Sequence, residues 1–372
     1  MNEYNWKKEK NCVRCENSAP VSGASFQTRP VEKSQRKKVL LFSLAAVIVI
    51  TGILFLISIP EKEKENAPAP QKTEKSVLSV DSAKALADVA EKNRHAIALV
   101  GISLPEANFF TPLGTAWAIK ETEFVTNGHV VNGLKETVKM IGAQFQRNML
   151  TAEFKKAGVK SEKEYIQKFG STKLFSEKKR IADEIQKLCE KLTVELRVNG
   201  MTGKGLPATH VQIHPEYVKT NDKSDLGIIH TSVKHNTFFS IASEKTLLEL
   251  KSGDPIGYLG FPMENIPGDN VDIQNPIASM QTGIIVAVSD FDLKNRGSRN
   301  NFLIRHNLPS SGGASGSPLF NSKGVVIAVH NASSKIPGTR FSSGSLINYG
   351  VRVDKLSGMG PKISLKEFLK QK

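Results

Sequence analysis

A serine enclosed by glycines is the feature that most restricts the fold of this chain. The segment Gly313-Ala314-Ser315-Gly316-Ser317-Pro318 sets Ser315 in a turn of small residues, and the apolar run 325–329 follows. A nucleophilic serine needs an exposed hydroxyl and backbone N–H groups that converge where an oxyanion would form. We expect the N–H groups of Gly313 and Ser315 to be those donors. The alternative is an ordinary glycine-serine loop between two strands.

Two upstream segments favour the catalytic interpretation. Residues 114–119 and 124–131 have the pattern of a hairpin, whose second strand is predicted to end in Asn127-Gly128-His129. A serine peptidase needs a base beside its hydroxyl and an acid that holds the imidazole in the required tautomer. His129 is therefore the candidate base.

The candidate acid is Asp225, which directly precedes the apolar strand predicted at 226–229. Asp222 is the alternative candidate for this role, but it does not directly precede the predicted strand. His129, Asp225 and Ser315 then form a candidate triad in the order His, Asp, Ser.

Taken together, these segments resemble the trypsin-like, chymotrypsin-fold serine peptidases, and most of all their bacterial HtrA/Deg branch. The resemblance covers residues 95–355 and implies an all-β fold of two six-stranded antiparallel β-barrels. His129 and Asp225 would lie in the first barrel and Ser315 in the second, with the active site between them. The motifs that carry it are GTAWAI, VTNGHVV, SDLGII and GASGSPLFNSKGVVIAV, with further matches at 258–262, 281–288 and 349–353.

The resemblance implies a serine endopeptidase that needs no metal or organic cofactor and acts on protein or peptide substrates. In this fold the residue six positions before the nucleophile lines the floor of the primary specificity pocket, and here it is Pro309. Because proline offers no charge there, we expect small or medium apolar side chains before the scissile bond rather than Lys or Arg. Relatives in this branch are often trimers, so a homo-oligomer stays open.

Departures from the family pattern, together with a long helical insertion between His129 and Asp225, leave a second function open. Ser317 stands where the family usually has glycine, and Ala314 where Asn or Asp is common. With the sequence ending at Lys372, we expect no C-terminal PDZ domain. The alternative to an active peptidase is therefore a catalytically weak or latent, membrane-tethered binding or scaffold protein on a peptidase fold.

The N-terminal region has the composition of a membrane anchor. Residues 39–59 contain no charge and no proline, and 21 residues of helix span about 30 Å. The preceding tail, 1–38, carries nine Lys/Arg against four Glu. The positive-inside rule then predicts a single-pass protein of the bacterial inner membrane, with a cytoplasmic N-terminus and a periplasmic or extracellular catalytic domain. The charged, proline-bearing segment 60–78 is expected to be an extended linker.

The remaining residues, 79–372, are assigned to the peptidase domain with a helical insertion at about 140–192. A helix is expected at 82–92, capped by Asp81 or Ser82, and the first barrel strand at 95–102. Within the insertion, Ser161 and Glu164 form a capping box, and Gly170 is a stop signal. The insertion at 134–191 carries fourteen Lys/Arg against eight Asp/Glu, so it is a partner-docking surface, a lid or a solvated face.

The distribution of charge, cysteine and histidine limits which further ligands the sequence predicts. The sequence pI is near 9.6, but the positive charge is split between the tail and the insertion without interleaved aromatics, so nucleic acid is not expected. Cys12 and Cys15 have the spacing of half a zinc site, against the alternative of an unstructured tail. Cys189 is expected to be a core residue. His210 and His214 lie in an extended segment without a carboxylate pattern, so we expect no metal there.

Overall fold

Six antiparallel strands close into a first barrel in the computed structural model, which describes residues 79–107, 109–203, 205–217, 223–263, 272–331 and 348–371. The sheet order is β5-β4-β1-β2-β3-β6, and pairing of β5 with β6 closes it. The expected hairpin is present as β2 and β3. The strands are β1 (Ile97–Leu104), β2 (Phe109–Lys120), β3 (Glu123–Thr126), β4 (Thr193–Val198), β5 (Leu206–Ile213) and β6 (Gly227–Thr231).

A second barrel follows in the chain and has the same construction. Its order is β11-β8-β9-β10-β13-β12, closed by pairing of β11 with β12, and the short strand β7 adds to β12 in parallel. These two closed six-stranded barrels confirm the chymotrypsin-like fold expected from the sequence. The strands are β7 (Ser240–Ile241), β8 (Pro255–Gly260), β9 (Ser279–Ser289), β10 (Leu303–His306), β11 (Pro318–Asn321), β12 (Val325–Asn331) and β13 (Asn348–Arg352). A last strand, β14 (Ile363–Ser364), pairs with β5 of the first barrel.

One apolar core is shared by both barrels. Trp117 on β2 meets Phe239 edge-on with ring centroids 5.9 Å apart, and Phe239 stacks on Phe320 of β11 at 5.8 Å. Trp117 and Phe320 are fully buried, and Phe239 is almost so. Aromatic contacts of this kind fix the separation of the elements that carry them. The two barrels are therefore held together by packing.

Three helices form the insertion, between β3 and β4: α2 (Gly128–Lys156), α3 (Glu162–Phe169) and α4 (Ser171–Cys189). The N-cap of α3 is Ser161, whose hydroxyl accepts from the N–H of Glu164, and Gly170 ends the helix with a positive φ of 86°, as the sequence predicts. The insertion begins earlier than expected, because α2 starts directly after Asn127. The prediction that the second hairpin strand runs to His129 is therefore wrong: β3 ends at Thr126.

The helix at the start of the described chain also differs in detail from its prediction. This helix, α1, spans Val80–Asn93, and its cap is Ser79, whose hydroxyl accepts the N–H of Ser82. Neither Asp81 nor Ser82 is the cap. A short 3-10 turn, Arg94–Ala96, then delays the first strand to Ile97. The remaining short helices are α5 (Glu244–Leu248) and α6 (Leu365–Lys370), with 3-10 turns at Pro105–Ala107 and Val353–Gly358.

Cys189 lies where α4 packs on α2. Its sulfur faces Gly142 of α2, where an added Cβ would lie 3.2 Å from it. The side chain is half-buried, and burial raises the pKa of the thiol. A thiol held in its protonated form is a poor nucleophile, which agrees with the expectation that Cys189 is a packing residue.

Among the residues described, no helix is long and apolar enough to cross a membrane. The tail 1–38 with Cys12 and Cys15, the apolar run 39–59 and the linker 60–78 all lie outside them.

Candidate active site

Asp225 binds both the backbone and the imidazole of His129. Its Oδ1 accepts the backbone N–H of His129 at 2.8 Å, and its Oδ2 lies 2.6 Å from Nδ1 of the ring. His129 is the second residue of α2, so its N–H is one of the donors that a helix leaves unpaired in its first turn. The carboxylate thus caps the helix that carries the candidate base, where the helix dipole also favours a negative charge.

Two asparagines complete the surroundings of this carboxylate. The side-chain amide of Asn331, at the end of β12, donates to Asp225 Oδ2 at 2.6 Å. Asn127 donates from its side chain to the Asp225 carbonyl at 2.9 Å. Asp225 has no exposed area, so the bonds from His129 and Asn331 take the place of water around its carboxylate, while Asn127 fixes its backbone. Sequence reasoning missed Asn331, because no local motif marks it.

The backbone just before Asp225 is strained. Ser224 has a φ of 49°, a left-handed conformation that few non-glycine residues adopt. Its hydroxyl donates to Glu216 Oε2 at 2.7 Å, and the same oxygen binds Lys355 Nζ at 2.8 Å. The lysine and the hydroxyl lower the pKa of Glu216, so the carboxylate that holds Ser224 stays ionised. Strain that is fixed in this way is typical of functional sites.

The turn around Ser315 lies against the first barrel. The backbone N–H of Thr115 donates to the Ser315 carbonyl at 2.8 Å. Gly114 fits between that carbonyl and Val130, the residue after His129, with about 3 Å to each for an added Cβ. Gly316 has a φ of 91° and lies so close to Thr115 and Thr126 that a side chain would collide with both. Glycines therefore let the serine turn approach the strands that lead to His129.

Thr115 joins the two barrels through its side chain as well. Its hydroxyl donates to the Gly313 carbonyl at 2.8 Å and accepts the N–H of Phe261 at 3.1 Å. Thr115 has no exposed area. The hydroxyl therefore holds one end of the serine turn, a role that the motif GTAWAI did not reveal.

We expect Thr115→Val to destabilise the protein and to lower peptidase activity, whereas Thr115→Ser should retain both. Valine keeps the shape but leaves the Gly313 carbonyl and the Phe261 N–H unpaired in a buried place, at a cost of about 1–3 kcal/mol for each. Thermal melting and kcat/KM on a peptide substrate would measure the two effects. A valine variant as stable and as active as the serine variant would contradict this role.

The candidate oxyanion donors have a defined orientation. The N–H of Met263 donates to the Gly312 carbonyl at 2.7 Å. In a trans peptide the carbonyl and the following N–H point in opposite directions, so the N–H of Gly313 points away from Met263. Gly313 has a φ of 92°, and the N–H of Ala314 closes the turn onto the Ser311 carbonyl at 3.1 Å. The Gly312–Gly313 peptide is thus fixed by bonds on either side.

Comparison with protein families identifies the family of this chain. Residues 114–329, more than half of the chain, match the trypsin-like peptidase domain family. The chain belongs to that family. Comparison with curated proteins gives no match.

Solved structures similar to this trypsin-like peptidase include proteases of the HtrA and Deg type. A structure of the HtrA-type protease AlgW with a decapeptide is 15% identical, with 73% of this chain and 65% of that chain covered and a TM-score of 0.42. Deg5 is 12% identical, with 75% and 93% covered and a TM-score of 0.41. An inactive form of Rv3671c from M. tuberculosis H37Rv is 15% identical, with 76% and 93% covered and a TM-score of 0.40. The family assignment rests on the family match, since these likenesses are too low to carry it.

The departure at Ser317 is accommodated in this trypsin-like peptidase. The Ser317 hydroxyl donates to the Ala314 carbonyl at 2.7 Å. The Ser317 hydroxyl lies over Gly260 of β8, and any side chain at position 260 would collide with this hydroxyl. The family glycine is therefore replaced by a serine that closes the turn with an additional hydrogen bond, and the space comes from a glycine on the neighbouring strand.

Other residues singled out in the sequence are not brought together. Pro309 is exposed beside the serine turn. The ring of His210 contacts Thr209, whereas Nδ1 of His214 accepts the N–H of Glu216. In the described parts of the chain, no group of His, Cys, Asp and Glu is arranged to hold a metal ion. Asp222 lies outside those parts.

Proposed function

We propose that this serine peptidase hydrolyses internal peptide bonds with His129 as base, Asp225 as orienting acid and Ser315 as nucleophile. The observation that carries the proposal is the double contact of the Asp225 carboxylate with His129. The carboxylate accepts from Nδ1, which leaves Nε2 of the neutral ring as the acceptor for a serine proton. The glycine turn that carries Ser315 lies against the strand that precedes this histidine.

The mechanism follows from these roles. His129 takes the Ser315 proton as the hydroxyl oxygen attacks the peptide carbonyl, and it later gives that proton to the leaving amine. Asp225 holds the ring and stabilises the imidazolium. The N–H groups of Gly313 and Ser315 bind the oxyanion of each tetrahedral intermediate. Water then hydrolyses the acyl-enzyme, with His129 again acting as the base.

The setting of the reaction is proposed from the sequence. The uncharged run 39–59, preceded by a basic tail, supports a single-pass anchor in a bacterial inner membrane. The catalytic domain would then be periplasmic or extracellular, on a linker that keeps it near the bilayer. Unfolded or membrane-proximal proteins are the substrates that such a tether favours. A homo-oligomer is compatible with this arrangement.

Fluorophosphonate labelling of the full-length chain tests the proposal, because the reagent reacts only with an activated serine. We expect labelling of the wild type that is lost in Ser315→Ala and His129→Ala, and lost on heat denaturation. Casein cleavage should follow the same pattern. A folded wild type that neither labels nor cleaves would indicate a latent site and favour the scaffold function, whereas labelling that persists in Ser315→Ala would refute the assigned nucleophile.

A further inference from the structure

The helical insertion ends in a tip that projects from the first barrel. Phe145 of α2 still packs on Phe109 of β2, with ring centroids 6.5 Å apart. From there α2 continues to residue 156, about 16 Å at 1.5 Å per residue. Arg180, in the middle of α4, contacts Glu153 in the last turn of α2 at 3.7 Å, so the first half of α4 extends past the end of α2. We call residues 155–180, which include α3, the tip.

The tip has a small apolar interior of its own. Tyr165 of α3 is almost fully buried. Its ring contacts those of Phe154 on α2 and Phe169 on α3, with centroids 5.4 Å and 4.9 Å apart. Leu174 of α4 is buried as well. The tip is therefore a packed helical element rather than an open loop, and the side chains on its outside have defined positions.

Three large apolar side chains of the tip are nevertheless exposed. Phe175 is 72% exposed, Phe169 43% and Ile166 38%, and among the described residues these are the two most exposed phenylalanines. All three residues lie within five positions of Gly170, hence within about 8 Å of this turn along their helices. Single exposed apolar side chains are ordinary, whereas a group of them marks an interaction surface.

Positive charge accompanies these apolar side chains. Residues 155–180 carry nine Lys/Arg against three Glu. Some of the cations are paired, such as Lys178 with Glu162 at 2.7 Å and Arg180 with Glu177 at 2.8 Å. Within the described ranges of the chain, four exposed lysines of the tip form no ion pair: Lys155, Lys160, Lys163 and Lys179. Their charge is available to an anionic partner.

We propose that the tip is a membrane-binding surface for an anionic lipid bilayer, with Phe169 and Phe175 entering the headgroup region and the lysines binding lipid phosphates. Exposed phenyl rings beside lysines are the combination by which helical elements bind a bilayer interface. Each lysine near an anionic lipid surface adds to the attraction, and its long side chain keeps the ammonium among the headgroups.

The type of cation favours lipid over a protein partner. The unpaired cations of the tip are all lysines, and lysine is depleted at protein–protein interfaces, where arginine is enriched instead. A projecting tip also offers no groove for a partner's side chains. A bilayer needs no groove, because its headgroups adapt to the surface that meets them.

The membrane setting proposed above brings a bilayer within reach of the tip. The predicted linker 60–78, outside the described residues, has nineteen residues and spans about 60 Å when extended. A domain of this size is about 50 Å across, so the linker lets any face of the domain turn towards the bilayer. Because the anchor already holds the domain nearby, weak contacts of the tip are sufficient to select one face. The proposal uses this setting and not the peptidase activity.

The fluorescence of a tryptophan placed in the tip tests the proposal. Full-length Phe175→Trp would be reconstituted in vesicles of phosphatidylglycerol and phosphatidylcholine, with and without bromine near the headgroup end of the acyl chains. Emission of the wild type, which has two tryptophans, would be subtracted. We expect a shift to shorter wavelength and about twofold quenching by bromine, because the ring lies at the bilayer interface.

Two results would overturn the proposal. Emission that is neither shifted nor quenched would show that the tip stays in water. A shift without quenching would show that the ring is buried against protein, either a second copy of this chain or another partner.

Phe238→Trp is the matched control. Phe238 is 39% exposed, but it lies in the segment between β6 and β7. We expect no quenching of that variant by brominated lipid. Melting temperatures would show that both tryptophan variants are folded. Equal quenching at the two positions would mean that no particular face meets the bilayer, which contradicts a binding surface at the tip.

Removal of charge tests the role of the lysines. In the Phe175→Trp protein, replacing the four unpaired lysines of the tip by glutamine should reduce quenching to the level seen in pure phosphatidylcholine. High salt should act in the same direction, because it screens exposed charges. The control makes the same change of charge elsewhere, at four exposed lysines: Lys84, Lys251, Lys323 and Lys366. If the tip variant is quenched as strongly as this control, the lysines do not bind anionic lipid.

Alkaline extraction of the same vesicles separates the tip from the anchor. If carbonate extracts the protein although Phe175→Trp is quenched before extraction, the run 39–59 is not an anchor and the membrane-binding tip stands. If the protein resists extraction but the tip is not quenched, the anchor stands and the assignment of the tip is wrong. Both results are independent of peptidase activity, which fluorophosphonate labelling measures.

Discussion

Replacing Asp225 by asparagine should lower kcat by about 10⁴-fold, the loss that the wrong histidine tautomer causes in such a triad. Three N–H groups point at the carboxylate: the backbone and Nδ1 of His129, and the side-chain amide of Asn331. An asparagine has only one acceptor oxygen, so its NH₂ group must face one or more of these donors. If it faces Nδ1, the ring proton moves to Nε2, which can no longer accept the serine proton.

Steady-state kinetics and the rate of fluorophosphonate labelling would measure this loss, with KM expected to change little. Asp290→Asn is a suitable control, because Asp290 also accepts backbone N–H groups, from Asp292 and Lys294, but in a turn of the second barrel. That variant should keep wild-type kcat. A fall of less than tenfold in Asp225→Asn would show that this carboxylate does not orient the base.

The second large effect is expected for Gly313→Ala, with kcat lowered about 10²- to 10³-fold, the usual cost of losing one oxyanion donor. The φ of 92° at Gly313 is unfavourable for alanine, and the added methyl group would collide with the Phe261 carbonyl and the Met263 side chain. The Gly312–Gly313 peptide must then move, and its N–H leaves the position that the Met263 contact gives it.

Gly297→Ala separates this displacement from backbone strain alone. Gly297 has a similar φ of 83°, but no atom lies within 4 Å of an added Cβ there. We expect Gly297→Ala to be less stable than the wild type but to keep the wild-type kcat. Comparison of kcat at a temperature where both variants are folded, as judged by circular dichroism, is the decisive measurement. Equal kcat in the two variants would mean that the Gly313 N–H does not take part in catalysis.

Local sequence patterns were sufficient to predict those parts of the site that each lie within one short segment of the chain. The glycines around Ser315 and the strand after Asp225 are features of contiguous residues, so the pattern alone located them. The closed barrels followed from the resemblance rather than from periodicity. The end of the hairpin was misjudged at His129, because the acid that caps α2 comes from a residue 96 positions later in the chain.

Two contacts of the site that sequence reasoning missed are long-range. Thr115 reaches Gly313 across 198 positions, and Asn331 reaches Asp225 across 106. Hydroxyl and amide side chains are common, and nothing in their neighbourhood in the sequence distinguishes these two. Such residues become visible only when tertiary structure brings their partners together.

The contacts of Thr115 also link the folding of the two barrels to the proposed activity. Its bonds to Gly313 and Ser315 join a strand of the first barrel to a turn of the second. Contacts between distant parts of a chain form late, because the intervening segments must be ordered first. In the proposed mechanism, a nascent chain with only its N-terminal barrel folded would have the base and the acid but no positioned nucleophile. By the same mechanism, we expect no cleavage from such a chain until both barrels have docked.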